Sequence, residues 1–508
     1  MPNDADQDLG AAIGGETLDP DDWQAFSIQA HRALDAALEH IKAAGREQPW
    51  RPLPDEARAE INRPLPRDPS PFDEVLDRTL SSILPYPTGN AHARFWGWVM
   101  GNGTPDAMVA DMLASAMNPH LAGYDQSASA VELRVIDWMK EIMRFPSEAS
   151  GVLVSGGTMA NMIGLAVARR EKAGFDVRGE GLAGGPLLRV YGSSDTHSWA
   201  EKCCDVLGLG RAAFRRVDSD REGRIDLAAL RAAIRADRAR GERPICVIGN
   251  AGTVDAGAID DLEALADLCE EEDLWLHVDG AFGALLAFSP QLSGRLAGLE
   301  RVDSLAFDLH KWGYLPYELG CVLVRDGDAH SATFRTRAKY LEPPGRGIQP
   351  DDLGLADLSI QLSRGFRALK VWMALETHGT LKIGRRVEAN VAQAQHLASR
   401  VRQEQHLELL GPAPLNIVCF RYRPPGSSEE ELRELNREIL LRIQEDGVAI
   451  PSSTERGGRF ALRVAITNHR TQLEDIDVFL DAVLELGQEL STRHSTRLST
   501  PTANAAQP

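Results

Sequence analysis

The sequence has few cysteines, few aromatic residues and no long apolar run, and these shortages exclude several classes of protein. Its 6 cysteines show no C-x-x-C spacing, so we expect neither a zinc ribbon nor a dithiol redox site. No apolar stretch approaches the roughly 18 residues of a membrane-spanning helix. The acidic segment 1–18 lacks the apolar centre of a secretory signal peptide. We therefore expect a cytoplasmic protein with reduced cysteines.

Positive charge is also scarce, with 55 Lys and Arg residues against 74 Asp and Glu residues and a net charge of -19. This surplus of negative charge opposes binding to nucleic acids and to anionic membranes, so we expect neither partner. An apolar fraction of 43% is that of an ordinary globular protein. A chain of 508 residues is too long for one hydrophobic core, and we expect roughly two or three domains.

Apolar runs alternate with amphipathic stretches between residues 151 and 324. This pattern predicts an α/β domain with a mostly parallel sheet, covered by helices on both faces. Ligands of such sheets bind beyond the carboxyl ends of the strands, so polar residues at those ends are candidate site residues. The runs predicted as strands include Leu187–Tyr191, Ile245–Gly249, Leu274–Val278, Ser304–Phe307 and Gly320–Val324.

The run from Ser304 ends in a polar group formed by Asp308, His310 and Lys311. An amine just beyond a buried strand is poorly hydrated, which predicts a pKa below its reference value of about 10.4. A neutral amine is the form that makes a Schiff base with an aldehyde. A single lysine in this position is more often an ordinary loop residue, so its assignment depends on other residues.

Two further stretches support an assignment for Lys311. The run from Leu274 ends in the acid Asp279, and the strand from Gly151 leads into Gly156–Thr158 and then into a helical stretch. A glycine turn at a helix N-terminus offers free N–H groups to a phosphate. A phosphate site, a strand-end acid and a lysine are the three protein parts that pyridoxal phosphate (PLP) requires.

Five stretches, in this order and spacing, resemble the group II PLP-dependent amino-acid decarboxylases, the family of aromatic-L-amino-acid and glutamate decarboxylases. The resemblance extends from about Trp23 to about Leu486. It implies PLP-dependent transferase fold type I, with a large α/β domain containing a mostly parallel, seven-stranded type of sheet, a small C-terminal α+β domain and an N-terminal helical segment. The stretches are Ser155–Asn161, Asp195–His197, His277–Ala281, His310–Trp312 and Leu462–Arg470.

The resemblance also implies a division of the chain and a homodimer. We expect a flexible tail (1–20), a helical dimerisation segment (21–95), a large PLP-binding domain (96–380), a small domain (381–490) and a disordered tail (491–508). The apolar stripe of Trp23–Ala44 cannot be buried by one helix alone. Family members use this region to embrace the partner subunit.

Seven residues receive cofactor roles from the resemblance. Lys311 is expected to hold PLP as a Schiff base, and Asp279 to keep the ring nitrogen protonated. The small Ala281 lets the ring lie flat, while His197 stacks on its outer face and helps to place the substrate carboxylate. The residues expected at the phosphate are His310, Gly157 and Thr158.

Two positions depart from the family pattern. The family commonly has threonine where this chain has Val254, so one hydroxyl near the cofactor is missing. It often has asparagine where this chain has Asp308. A second anion beside a phosphate is unfavourable unless it is paired, so Asp308 receives no binding role.

The implied activity is the decarboxylation of an L-amino acid to an amine and CO2. Tyr340 matches the family tyrosine that protonates Cα after CO2 leaves, and its loop, 332–353, has the length and polarity of a lid. Phe95, Trp96 and Trp98 match the segment that lines the substrate pocket and favour an aromatic substrate. The same three residues are equally consistent with a role in the core.

Several alternatives remain open. In the first alternative, the substrate is an acidic or diamino acid such as aspartate, glutamate or diaminobutyrate. In others the chain is an aromatic aldehyde synthase, or an aminotransferase or lyase of the same fold. A non-catalytic PLP-binding homologue is the alternative least compatible with the candidate residues.

Overall fold

The structure, a computed structural model, describes residues 17–336, 346–348 and 354–499, with side chains up to residue 492. The chain forms two compact units, residues 1–89 and 90–508. The part of the first unit from residue 17 onward contains three helices. They are α1 (Trp23–Ala43), α2 (Asp55–Ile61) and α3 (Phe72–Ser82).

Helix α1 begins where the Asp22 side chain accepts hydrogen bonds from the N–H groups of Gln24 and Ala25, at 2.9 and 3.0 Å. None of its residues is buried, and Trp23 and Ile28 are each 63% exposed. The predicted apolar stripe is therefore present and largely uncovered in the single chain.

The second unit opens with two helices and continues as alternating strands and helices. Its first part contains α4 (Pro105–Met117), α5 (Ser127–Ile142), β1 (Ser150–Val154), α6 (Gly157–Lys172), α7 (Val177–Glu180), β2 (Leu188–Ser193), α8 (Trp199–Val206), β3 (Phe214–Val217), α9 (Leu227–Ala239), β4 (Arg243–Asn250), α10 (Leu262–Glu271), β5 (Trp275–Asp279), β6 (Ser304–Asp308), β7 (Gly320–Val324) and α11 (Gly327–Phe334).

These strands form a seven-stranded sheet in the order β1-β7-β6-β5-β4-β2-β3. Strands β3, β2, β4, β5 and β6 pair in parallel with one another, whereas β7 is antiparallel to both β1 and β6. The predicted mostly parallel sheet is confirmed. Strand β3 was not predicted, because Phe214–Val217 contains two arginines and lacks a continuous apolar run.

Successive residues of each strand pack on opposite faces of the sheet. Leu305 and Phe307 belong to the hydrophobic core on one side, and Ala306 to the core on the other. On β2, Tyr191 belongs to the first of these cores and Val190 to the second. All five are fully buried, and each large side chain contributes about 1.5–3 kcal/mol to stability through removal of apolar surface from water.

The C-terminal part is an α+β layer with a four-stranded antiparallel sheet in the order β10-β11-β9-β8. The first helical run, Ala368–Gln403, is broken at Gly379 by a φ of 68°. The last helix extends to Ser499, into the segment 491–508 that was expected to be disordered. The elements are α12 (Ala368–Gln403), β8 (Leu407–Leu409), β9 (Ile417–Tyr422), α13 (Glu429–Glu445), β10 (Ser452–Arg456), β11 (Arg459–Ala465) and α14 (Leu473–Ser499).

Two sequence expectations concern membranes and cysteines. Of the helices within the described ranges, none has both the length and the apolar character that crossing a bilayer requires. All six cysteines are buried and unpaired. Cys246 and Cys321 lie inside β4 and β7 and are fully buried in the core.

Candidate active site

The carboxyl ends of the parallel strands meet at one edge of the large sheet. Val154 at the end of β1 and Asp308 at the end of β6 both pair with Gly320, the first residue of β7. Asn250 at the end of β4 pairs with Asp279 at the end of β5. Asp279, Lys311 and the first turn of α6 lie at or just beyond this edge.

Lys311 follows β6, and its side chain is 24% exposed. Its Nζ atom lies 2.8 Å from Oδ2 of Asp308. Burial lowers the pKa of Lys311, but the Asp308 and Asp279 carboxylates act in the opposite direction and hold the pKa above its ordinary value. The predicted lowering of this pKa is therefore wrong, because the sequence argument considered burial without the paired acid.

Asp279 is fixed through both carboxylate oxygens. Oδ1 accepts a hydrogen bond of 3.0 Å from the N–H of Ala281, and Oδ2 accepts one of 2.5 Å from the indole N–H of Trp199. Asp279 and Trp199 are 7% and 3% exposed. Sequence reasoning missed Trp199, and its position two residues after His197 was the available signal.

A buried histidine lies beneath Asp279 on the same strand. His277 Nε2 lies 2.7 Å from Asn161 Oδ1, and Nδ1 lies 2.8 Å from Ser304 Oγ. Complete burial lowers the pKa of His277 to about 4, so its ring is neutral near pH 7. The Trp199 ring packs edge-on against the His277 ring, with their centroids 5.8 Å apart. Because His277 also contacts Asn161 of α6, the side chains that hold Asp279 are connected to that helix.

His310 has a defined orientation. Its Nδ1 accepts a 2.9 Å hydrogen bond from the N–H of Leu319, so the neutral ring carries its proton on Nε2. Burial lowers the pKa of His310, and the neighbouring Asp308 opposes that change. The Tyr317 ring lies 4.3 Å from the His310 ring. His310 thus presents an N–H donor near the first turn of α6.

The first turn of α6 starts at the edge of the sheet with Gly157 and Thr158. The first N–H groups of a helix have no acceptor within the helix and attract anions. A Cβ on Gly157 would lie only 2.7 Å from Asp308 Oδ2, and one on Gly156 would lie 3.1 Å from His310 Cε1. A side chain at either position would crowd Asp308 or His310, so glycine leaves the space beside the first turn of α6 free.

His197 lies in the loop between β2 and α8, with its side chain exposed. Its Nδ1 accepts a 3.2 Å hydrogen bond from the N–H of Trp199. Burial lowers the pKa of His197, Asp279 raises it and Lys311 lowers it. The charges of Asp279 and Lys311 thus act on the His197 imidazole in opposite directions.

The aromatic segment near residue 95 divides between core and surface. Phe95 and Trp96 are 3% and 0% exposed, and the Trp96 ring packs against Phe479 of the C-terminal core at 5.5 Å. Trp98 is instead 56% exposed. Its φ of 56° is unfavourable for a bulky residue, and such conformations concentrate at functional sites.

Arg463 holds Trp98 beside the strand ends. It donates to the carbonyl oxygen of Trp98 at 2.7 Å and to that of Val254, after β4, at 3.1 Å. Thr253, in the same loop after β4, is buried, and its hydroxyl accepts a 3.0 Å hydrogen bond from the N–H of Ala258. Tyr340 and most of its loop lie outside the described residues.

Residues 54–423 match the model of the pyridoxal-dependent decarboxylase conserved domain. The chain belongs to this family. It is 33% identical to an aromatic-L-amino-acid decarboxylase of Bacillus atrophaeus over 465 residues, which cover 91% of this chain and 95% of that protein. It is 32% identical to an L-2,4-diaminobutyrate decarboxylase of Rhizobium meliloti over 394 residues, 77% of each.

A solved structure of Oryza sativa TDC with PLP and tryptamine has a TM-score of 0.85 to this fold and 27% sequence identity. The match covers 93% of this chain and all of that chain. The protein is a PLP-dependent amino-acid decarboxylase of fold type I. The predictions of family, fold, enzyme class and cofactor are confirmed.

The groups at the sheet edge fit PLP chemically. Helix α6 and His310 offer N–H donors suited to a phosphate. The Asp279 carboxylate is held by two N–H groups and suits a protonated ring nitrogen. Lys311 offers a primary amine of the kind that forms a Schiff base with an aldehyde.

Proposed function

We propose that this decarboxylase converts an aromatic L-amino acid into its amine and CO2. The observation that carries the proposal is Trp98, an exposed aromatic ring in an unfavourable backbone conformation beside the strand ends. A ring held there offers stacking to an aromatic side chain. The relative from Bacillus atrophaeus and the tryptamine-bound structure support the same substrate class.

In this proposal four side chains serve the cofactor ring and the substrate. Lys311 provides the amine that holds the cofactor aldehyde, and Asp279 keeps a proton on the ring nitrogen. His197 lies over the ring and helps to place the substrate carboxylate, while the small Ala281 leaves space for the ring. PLP, when bound, supplies an electron sink for the pair left at Cα as the carboxylate departs.

The phosphate is assigned to the N-terminus of α6. Gly157 and Thr158 offer N–H and hydroxyl donors, and the Nε2 proton of His310 offers a third. The role of His310 is supported by the hydrogen bond from the Leu319 N–H to its Nδ1, which leaves Nε2 as the ring donor. Burial keeps the imidazole neutral, so it donates a proton in a hydrogen bond without adding a charge.

Tyr340 is proposed as the acid that protonates the substrate Cα after CO2 leaves. A phenol with a reference pKa near 10 retains its proton at neutral pH until it is required. The family's tyrosine at the matching position is the basis of this assignment. Delivery of the proton completes amine formation and prevents oxidation of the reactive carbon.

The experiment is a CO2-release screen with PLP and L-amino acids, comparing wild-type protein with Trp98→Phe and Trp98→Ala. We expect turnover of tryptophan, tyrosine, phenylalanine or dopa. The KM for these substrates should rise in Trp98→Ala and recover largely in Trp98→Phe. CO2 release from diaminobutyrate, aspartate or glutamate alone would contradict the aromatic assignment.

L-2,4-diaminobutyrate is the second candidate substrate, supported by the Rhizobium meliloti relative. A diamino acid brings a side-chain ammonium instead of an aromatic ring, and an ammonium interacts with a tryptophan ring by a cation–π contact and not by stacking. The two candidates therefore separate by which amino acid releases CO2 in the same screen. Trp98→Phe, which keeps a ring to stack on but is a weaker cation–π partner, should restore the KM for an aromatic substrate better than the KM for diaminobutyrate.

We also propose a cytoplasmic homodimer. The exposed apolar residues Trp23 and Ile28 on α1, and Met112 and Met117 on α4, need a surface to cover them. The six unpaired cysteines agree with a reducing compartment. Light scattering should give a particle of twice the 55.5 kDa chain mass, and a fully active single-chain particle would contradict the dimer.

A further inference from the structure

The turn that begins at Lys311 contains two buried aromatic residues. The N–H of Tyr314 donates a 3.2 Å hydrogen bond to the carbonyl oxygen of Lys311, which closes a four-residue turn. Trp312 and Tyr314 are 0% and 3% exposed. The φ of Tyr314 is 59°, which is unfavourable for a bulky residue and persists only where the surrounding structure enforces it. Interactions outside the turn therefore hold it in this form.

The side chains of both aromatic residues bind one atom, the Oδ1 atom of Asn390 on α12. The Trp312 indole N–H donates to it at 3.0 Å, and the Tyr314 hydroxyl donates to it at 2.8 Å. An indole N–H is a donor only, so the atom that it faces is the amide oxygen and not the NH2 group. Asn390 is fully buried, where the loss of a hydrogen-bond partner is not compensated by water.

The NH2 group of Asn390 is fixed as well. Its Nδ2 donates to the carbonyl oxygen of Asn468, between β11 and α14, at 3.0 Å and to Gln393 Oε1 at 2.8 Å. Gln393 is itself held, because its Nε2 donates to the carbonyl oxygen of Thr471 at 2.6 Å. All four hydrogen-bonding positions of the Asn390 amide are thus used, so the amide cannot rotate away from the turn without breaking these bonds.

The turn is also packed closely against its neighbours. A Cβ on Gly313 would lie 2.5 Å from the carbonyl oxygen of Leu309, and a Cβ on Gly101 would lie 2.6 Å from the carbonyl oxygen of Lys311. The N–H of Leu315 donates to the Leu309 carbonyl oxygen at 3.2 Å. A change in the shape of the turn therefore moves the backbone of Lys311.

We propose that Asn390 is a positioning residue for Lys311. Its oxygen holds Trp312 and Tyr314, these two residues fix the turn, and the turn fixes the backbone that carries the Lys311 amine. The inference rests on the proposed role of Lys311 as the residue that binds the cofactor aldehyde. A fixed backbone restricts the amine to fewer positions, which speeds its attack on a bound aldehyde and leaves the affinity for the rest of the cofactor unchanged.

The test compares cofactor binding with formation of the bond to Lys311 in Asn390→Ala. Equilibrium dialysis measures the binding of pyridoxamine phosphate, which has an amine in place of the aldehyde and cannot form that bond. Stopped-flow absorbance measures how fast the visible band of the lysine-bound cofactor forms when PLP is added to the apoprotein. We expect the band to form about tenfold more slowly, because misplacement of a reacting group by about 1 Å can cost about a hundredfold. The dissociation constant of pyridoxamine phosphate should stay unchanged.

The matched control is Asn436→Ala. Asn436 on α13 is also fully buried, accepts a 2.7 Å hydrogen bond from the N–H of Tyr422, and donates to the carbonyl oxygens of Tyr422 and Leu432, each at 2.8 Å. Urea unfolding should show a loss of stability in both variants, whereas the visible band should form more slowly only in Asn390→Ala. Equal slowing in the control, or a wild-type rate in Asn390→Ala, would overturn the inference. Weaker binding of pyridoxamine phosphate that accounts for the slower rate would overturn it too.

Tyr314→Phe keeps the inference testable if Asn390→Ala does not fold, since it removes one of the two hydrogen bonds to Oδ1. Slower band formation with unchanged pyridoxamine phosphate binding would then support the role of Asn390, and a wild-type rate would overturn it. Failure of the proposed function gives a different result, because the visible band would then survive in Lys311→Ala.

Discussion

Replacement of Asp279 by asparagine tests the site at its best-defined side chain. Both oxygens of Asp279 accept hydrogen bonds, one from the N–H of Ala281 at 3.0 Å and one from Trp199 at 2.5 Å. Asparagine has one oxygen and one NH2 group, so either the Ala281 N–H or the Trp199 N–H would face the NH2 group, which is itself a donor. Leaving a buried donor unsatisfied costs about 1–3 kcal/mol of unfolding free energy.

The same substitution removes the charge opposite the proposed ring nitrogen. Two unit charges about 4 Å apart interact by about 4 kcal/mol at an effective dielectric constant of about 20. Each 1.36 kcal/mol of transition-state stabilisation is worth roughly tenfold in rate. We therefore expect Asp279→Asn to lower kcat by about a thousandfold while PLP still binds.

Asp303→Asn is the matched control. Asp303 precedes β6, at the opposite end of that strand from Lys311, and accepts a 2.7 Å hydrogen bond from the N–H of Leu276. Urea unfolding should show a loss of stability in both variants. CO2 release should fall only in Asp279→Asn, and a kcat within about tenfold of wild type in that variant would refute a role for the charge.

Three other predictions concern the amine, the proton donor and acid stability. Lys311→Ala should abolish the visible absorbance of the bound cofactor, and labelling of a different lysine after borohydride reduction would contradict the assignment. Tyr340→Phe should still release CO2 but form less amine and more aldehyde, ammonia and peroxide, since O2 can then oxidise the unprotonated carbon; amine alone at an undiminished rate would disprove this role. Burial lowers the pKa values of His277 and His330 to about 4, below the value of about 6.5 for an unfolded chain. The unfolded state then binds more protons between these values, so the urea midpoint should fall as pH drops from about 6.5 to about 4, and a constant midpoint would contradict the buried neutral rings.

Much of the fold was predictable because strands covered on both faces must be apolar at nearly every position. Gly320–Val324 was predicted with its observed bounds for that reason. The strand-end positions of Asp279 and Lys311 were also predictable, since Asp279 follows one apolar run and Lys311 lies four residues after another. Strands with polar residues, such as Phe214–Val217, escaped prediction because sheet pairing, and not their own composition, stabilises them.

The sequence by itself determined the family, the cofactor and the positions of most main strands along the chain, because these depend on short motifs and local burial patterns. Only the tertiary structure decided that Trp96 belongs to the core and Trp98 to the surface, although the two are separated by one residue. It also showed the bond between Trp199 and Asp279, which are 80 residues apart, and reversed the predicted pKa direction of Lys311. These features depend on distances between side chains on different elements, and those distances arise only when the elements pack together.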